Sequence, residues 1–183
     1  MENDIPSDRL SRRGFLKVSA IWAGGAWIVG VPAVTANPYR VLTEKEAEIM
    51  DALADAIIPP GRYSGGKDAW VTRFIDQQLS RYGYLQHDKE MYRTCLPAIN
   101  EDSIAQFGEP FIALDEEKQE EYLKAIEAGS YNAESSARGW AHFTPSAFFN
   151  TMVNQCMMGF YGSSFHGGNR DYVSYRMLSL LAG

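Results

Sequence analysis

The sequence is poor in the residues that carry most protein chemistry. Of its 183 residues, two are cysteine and three are histidine. The histidines, His87, His142 and His166, stand at no metal-ligand spacing with each other or with a cysteine, so no metal site is assigned. Cys-x-x-Cys-His is missing, which excludes attachment of a c-type haem to this chain. No Gly-x-Gly-x-x-Gly follows a strand-like run, and a flavin or nicotinamide site has no support. Gly-x-Ser-x-Gly is absent too, and with it the nucleophile elbow of a hydrolase. Lys and Arg number 17 against 23 Asp and Glu, a net charge of −6. A chain of that sign does not neutralise a phosphate backbone, and nucleic acid is excluded as a partner. The acidic pairs Glu116-Glu117 and Glu120-Glu121 read as a solvated helix face. No internal repeat is present, and few segments alternate as strands do.

One stretch comes near a phosphate-binding motif and fails. Gly61-Arg62-Tyr63-Ser64-Gly65-Gly66-Lys67 has the glycines and the lysine, but Asp68 stands where Ser or Thr would hold Mg²⁺. Its carboxylate would repel a phosphate, and two prolines precede the loop in place of a strand. The stretch reads as a surface loop.

Present instead is an address. Ser11-Arg12-Arg13-Gly14-Phe15-Leu16-Lys17 resembles the twin-arginine export signal, with Arg12, Arg13, Phe15 and Leu16 as its key residues. From Val18 to Tyr39 there is no charge, and Gly24, Gly25, Gly30 and Pro32 keep the run only mildly hydrophobic, a poor permanent membrane helix. Val34-Thr35-Ala36 offers small residues for a signal peptidase. The expected division is a signal over 1–36 and a body over 37–183; retention of 1–36 as a membrane anchor is the other reading. Without residues 1–36 the body has 13 basic and 20 acidic residues, net −7. This route exports folded proteins, so the signal implies a cofactor inserted before export, in this chain or in a partner bound to it.

The body reads as one small all-α domain with an irregular, Gly-rich C-terminal segment. Thr43-Glu44-Lys45-Glu46 is a capping box, followed by Ile49, Met50, Leu53, Ala54 and Ile57 at helical spacing and stopped by Pro59-Pro60. A second helix is predicted over 68–81 with Trp70, Phe74, Ile75 and Leu79 inward. A third spans 88–107, with a kink or break at Pro97. Asp115 caps a fourth that Gly129 ends, and Thr144-Pro145 opens a fifth running to Tyr161. The fifth is apolar almost all round: Phe149, Met152, Val153, Cys156 and Phe160 form one stripe, widened by Phe148, Met157, Met158 and Tyr161. Such a helix fills a core, and it is wide enough to serve a second subunit as well. Aromatic residues make up 13% of the chain; core packing accounts for most of them, and a surplus would suit an interface. Cys95 and Cys156 allow three arrangements: a disulfide with each other, two buried thiols, or a bridge from Cys156 to a partner.

Two stretches resemble the gluconate 2-dehydrogenase subunit 3 family. One is Ala54-Asp55-Ala56-Ile57-Ile58-Pro59-Pro60 followed by Phe74-Ile75-Asp76-Gln77-Gln78-Leu79. The other is Gly159-Phe160-Tyr161-Gly162 followed by Gly167-Gly168-Asn169-Arg170-Asp171. Ser163-Ser164-Phe165-His166 departs from the family, which tends to an acidic, Pro-containing segment there. The resemblance implies a non-catalytic small subunit in a complex on the outer, periplasmic face of the cytoplasmic membrane. An FAD-containing large subunit oxidises the sugar, a multihaem cytochrome c takes the electrons, and the large subunit leaves the cell through the twin-arginine translocase bound to this chain. FAD and haem c then belong to the partners, and neither catalytic nor cofactor residues are assigned here. The partner-interface candidates are Phe148, Met158, Tyr161, Gly162, Gly167, Gly168 and Asn169. Gluconate, 2-ketogluconate and glucose are all compatible substrates of such a complex. The alternative is a stand-alone periplasmic enzyme or binding protein with a pocket that no motif announces.

Overall fold

The computed structural model describes residues 19–23, 26–30, 37–129 and 139–180. The chain divides into two compact units, Met1–Pro38 and Tyr39–Gly183. In the first, strands β1 (Ser19–Ala23) and β2 (Ala26–Gly30) pair antiparallel, with Ile21 opposite Ile28. Arg12, Arg13, Phe15 and Leu16 lie outside the described residues.

The second unit is all-α. Its helices are α1 (Glu44–Ile57), α2 (Val71–Arg81), α3 (Gln86–Phe107), α4 (Glu116–Ala128), α5 (Pro145–Tyr161) and the short α6 (Val173–Met177). The capping box forms as the sequence predicts: Thr43 Oγ1 accepts from the Glu46 N–H, and the Glu46 carboxylate accepts from the Thr43 N–H at 2.7 Å. Asp115 caps α4 by accepting from the Lys118 N–H, and Gly129 ends it with a φ of +65°. Thr144 accepts from the Ala147 N–H at the start of α5, where Pro145 fills the first helical position.

Three local expectations change. α2 begins at Val71, not Asp68, because residues 66–70 are used in a turn whose Trp70 adopts the left-handed conformation, φ +64°. Trp70 therefore leaves the inner face and is 37% exposed. α3 is a single helix of 22 residues through Pro97. Pro97 lies on its exposed side, while Tyr92, Cys95, Leu96, Ala98 and Ile99 around it are buried. Packing on one face holds the helix together across the hydrogen bond that proline removes from the other. The C-terminal segment is irregular as expected, but it includes α6 and two 3₁₀ turns, Ser164–His166 and Arg170–Tyr172.

The core gathers around α5, which touches each of the other five helices. Phe148, Met152, Cys156 and Phe160, four residues apart, form its buried stripe. Phe149 and Val153, expected in that stripe, are half-buried beside it. A polar chain links α3 to α5: the Tyr92 hydroxyl donates to Gln155 Oε1 at 3.0 Å, and Gln155 Nε2 donates to Asp88 Oδ2 at 2.9 Å. Buried Asp102 accepts from the Tyr122 hydroxyl and from the Trp140 indole at 2.9 Å, tying α3 to α4 and to the chain before α5. No helix among the described residues is long and apolar enough to cross a membrane.

Candidate partner-binding surface

At its C-terminal end α5 turns large apolar side chains outward. Met157, Met158 and Tyr161 are exposed, Met158 by 60%, while Gly159 and Phe160 between them are buried. Phe148 is no part of this surface. It is fully buried at the other end of the helix, edge-on to Tyr92 at 5.7 Å and to Trp140 at 5.9 Å. Its place in the interface set is corrected to the core: the stripe at four-residue spacing is the one that α5's neighbours cover.

The segment after α5 folds back on it through the glycines. Gly162 closes the helix and is half-buried. Gly167 has φ +99°, and a Cβ there would strike the Gln77 amide. Gly168 is buried, and a Cβ on it would overlap the Gly159 carbonyl oxygen. Gly159 is itself against the Phe74 ring, with room for no side chain. Asn169 is fully buried and staples the turn: its N–H donates to Gly159 O at 2.8 Å, its Nδ2 to Gly162 O at 2.8 Å, and its Oδ1 accepts from the Ser174 N–H at 3.0 Å. Gly168 and Asn169 therefore shape the surface from beneath. The side chains they hold outward are Phe165, 85% exposed, and Tyr172, 47% exposed. Neither carries a sequence signal of a site, since neither belongs to a run of apolar residues at helical spacing.

Cys95 and Cys156 are free thiols, both fully buried. Burial pushes each up to about 12. They do not form a disulfide here, and a bridge from Cys156 to a partner would need a sulfur at the surface. The arrangement is that of two buried thiols.

The near-P-loop wraps the end of α1 instead of opening toward a ligand. Lys67 N–H donates to Asp55 Oδ1 at 2.9 Å, Gly66 N–H donates to Ile58 O, and a Cβ on Gly66 would overlap the Ala54 carbonyl. Beside it a groove of about 730 Å³ runs between α1 and α4, with Asp51, Asp55, Lys67, Ile112 and Glu120 among its walls. Burial raises Asp51 and Asp55 above the usual carboxylate range. Among the described residues no three His, Cys, Asp or Glu side chains are grouped to hold a metal ion.

In the sequence Asp76 stands out only as part of the Phe74–Leu79 motif. In the fold it is a buried anchor whose Oδ2 accepts from the Arg40 N–H and whose Oδ1 accepts from those of Val41 and Leu42, at 2.8, 2.8 and 2.9 Å. It pins the start of the helical body to α2. A sequence scan has no means to pair it with a backbone 35 residues away.

No curated protein and no solved structure matches the chain. The family model described as gluconate 2-dehydrogenase subunit 3 matches residues 44–182, from the first residue of α1 almost to the C-terminus. The chain belongs to that family.

Proposed function

We propose that this member of the gluconate 2-dehydrogenase subunit 3 family is the non-catalytic small subunit of a flavoprotein–cytochrome c dehydrogenase complex. It binds an FAD-containing large subunit in the cytoplasm, supports its folding and stability, and takes it through the twin-arginine translocase on the strength of Arg12 and Arg13. In the periplasm the pair joins a multihaem cytochrome c on the outer face of the cytoplasmic membrane. The observation that carries this reading is the set of large apolar side chains held outward around the end of α5, Met157, Met158, Tyr161, Phe165 and Tyr172. Exposed apolar side chains gathered in one region are what a partner surface requires. The family description supports a role as a dehydrogenase subunit, and the twin arginines support export with cargo.

Expression of the large subunit with and without this chain tests the proposal. With it, flavin-loaded large subunit is expected in the periplasmic fraction; without it, or with residues 1–36 deleted, the large subunit stays in the cytoplasm or lacks flavin. Export and flavin content unaffected by either change would overturn it.

The groove between α1 and α4 favours a second reading, a stand-alone periplasmic enzyme or binding protein, because its volume lies in the range of small-molecule sites. Turnover of a sugar or sugar acid with an artificial electron acceptor by the purified single chain would establish that reading; its absence leaves the subunit role.

A further inference from the structure

Arg73 and Arg170 come from opposite parts of the chain and meet on one indole. Each guanidinium carbon lies 4.6 Å from the ring centre of Trp70. Backbone joins the same two segments, since Arg170 N–H donates to Ala69 O at 3.2 Å. The junction is strained on both sides: Trp70, Asn169, Asp171 and Tyr172 all hold positive φ, from +43° to +64°, without being glycine. Bulky residues occupy that region only where surrounding structure enforces it, and such strain gathers at functional sites. Arg170 leans on Asp171, Nε to Oδ2 3.4 Å, and among the described residues Arg73 has no carboxylate within salt-bridge range. Asn169 connects the junction to the end of α5, where Met158 and Tyr161 are exposed.

We propose that Trp70, Arg73 and Arg170 form the anchor of the docking surface, and that they receive an acidic segment of the large flavoprotein subunit. The inference rests on the small-subunit reading above and names the contact that reading leaves open. Charge chooses the occupant: Asp171 offsets Arg170, but Arg73 has no carboxylate in salt-bridge range among the described residues, so the stack keeps an uncompensated positive charge on a body of net −7 and suits a surface that carries carboxylates. A guanidinium held over an indole still has planar N–H donors of the kind that take a carboxylate in paired hydrogen bonds. An exposed Trp flanked by Arg is the composition enriched among residues that dominate binding energy. Tyr172, two residues after Arg170, is itself 47% exposed and adds apolar area to the same segment.

The test is co-expression of tagged chain with the large subunit, followed by recovery of flavin absorbance per mole of chain across a salt series. Wild type is expected to retain flavin at low salt and lose it progressively as salt rises. R73E/R170E is expected to weaken retention at least tenfold, with R73K/R170K intermediate and Lys124→Glu on α4 unchanged. Far-UV circular dichroism and melting temperature of each variant report whether the fold is kept. Retention by a folded R73E/R170E equal to wild type would overturn the anchor while leaving the subunit reading intact. If the double variant does not fold, the wild-type salt series decides: affinity independent of salt overturns the anchor. A wild-type chain that retains no flavoprotein at any salt overturns both readings.

Discussion

Asp76 accepts a hydrogen bond from the backbone N–H of Val41 at 2.8 Å, and the same oxygen accepts from Leu42. This carboxylate joins α2 to the point where the helical body begins. Asp76→Ala removes the carboxylate that accepts from the Arg40, Val41 and Leu42 N–H groups, and a loss of about 3 kcal/mol or more is expected in urea denaturation. Asp76→Asn keeps one acceptor oxygen and should lose roughly half of that. In hydrogen exchange the amides of residues 40–42 should lose protection before those of α5.

Phe148 and Met158 lie ten residues apart on one helix and should behave oppositely. Phe148 is enclosed by Tyr92 and Trp140, so Phe148→Ala is expected to cost about 3–5 kcal/mol of stability. Met158 is 60% exposed, and Met158→Ala should change stability by no more than about 0.5 kcal/mol. On the subunit reading the second variant instead weakens recovery of the flavoprotein. Denaturation curves for both variants, with co-purification for Met158→Ala, check the pair.

Gly168 can be set against Gly61. An alanine methyl at 168 would meet the carbonyl oxygen of Gly159, which is backbone and cannot swing aside. Gly168→Ala should cost about 1–3 kcal/mol and lower the melting temperature by several degrees. Gly61 has open space where a Cβ would go, so Gly61→Ala should be neutral or slightly stabilising. Equal melting temperatures for the two variants would show that the close approach does not matter.

The thiols give a chemical readout of burial. Cys95 and Cys156 are fully enclosed and held to about 12, so neither is expected to react with a thiol reagent in the native protein at pH 8. Both should react at once in denaturant. A native thiol that titrates within seconds, or a disulfide found in the purified protein, would contradict the packing of α3 on α5.

Acid titration should reveal Asp51 and Asp55. Burial raises both, so each holds its proton more tightly in the folded state than in the unfolded one. Stability from this source is full below the unfolded carboxylate value and is lost as pH rises through the higher folded value. Asp51→Asn removes the loss. At pH 7 the variant should be more stable than wild type, and the two should converge as pH falls toward about 3. Melting temperatures over that range measure the effect.

The helices were legible in the sequence because their signals are local. A capping box within four residues, Asp115 with Gly129, and Thr144 with Pro145 each define an end by contacts the chain makes with its nearest neighbours. The surface was only partly legible. Met158 and Tyr161 are exposed as a partner-facing helix requires, yet Phe148 on the same apolar cylinder is interior. Which side of a nearly uniform helix meets solvent depends on what packs against it, and periodicity carries no such information. Trp70 reads as an inward helix residue and Phe165 and Tyr172 carry no periodic signal, because an aromatic in a turn is read correctly only when the turn's conformation is known.

By itself the sequence determined the class of this protein: an acidic, cofactor-motif-poor, helical body behind paired arginines, with the ordered motifs of its family. Helix caps, glycine stops and motif order act over a few residues, and a linear reading recovers them. The tertiary structure alone decided where the polar and apolar side chains are committed. Asp76 reaches a backbone 35 residues upstream, and Arg170 reaches the indole of Trp70 across almost the whole body. Such contacts close only when the helices have packed around α5.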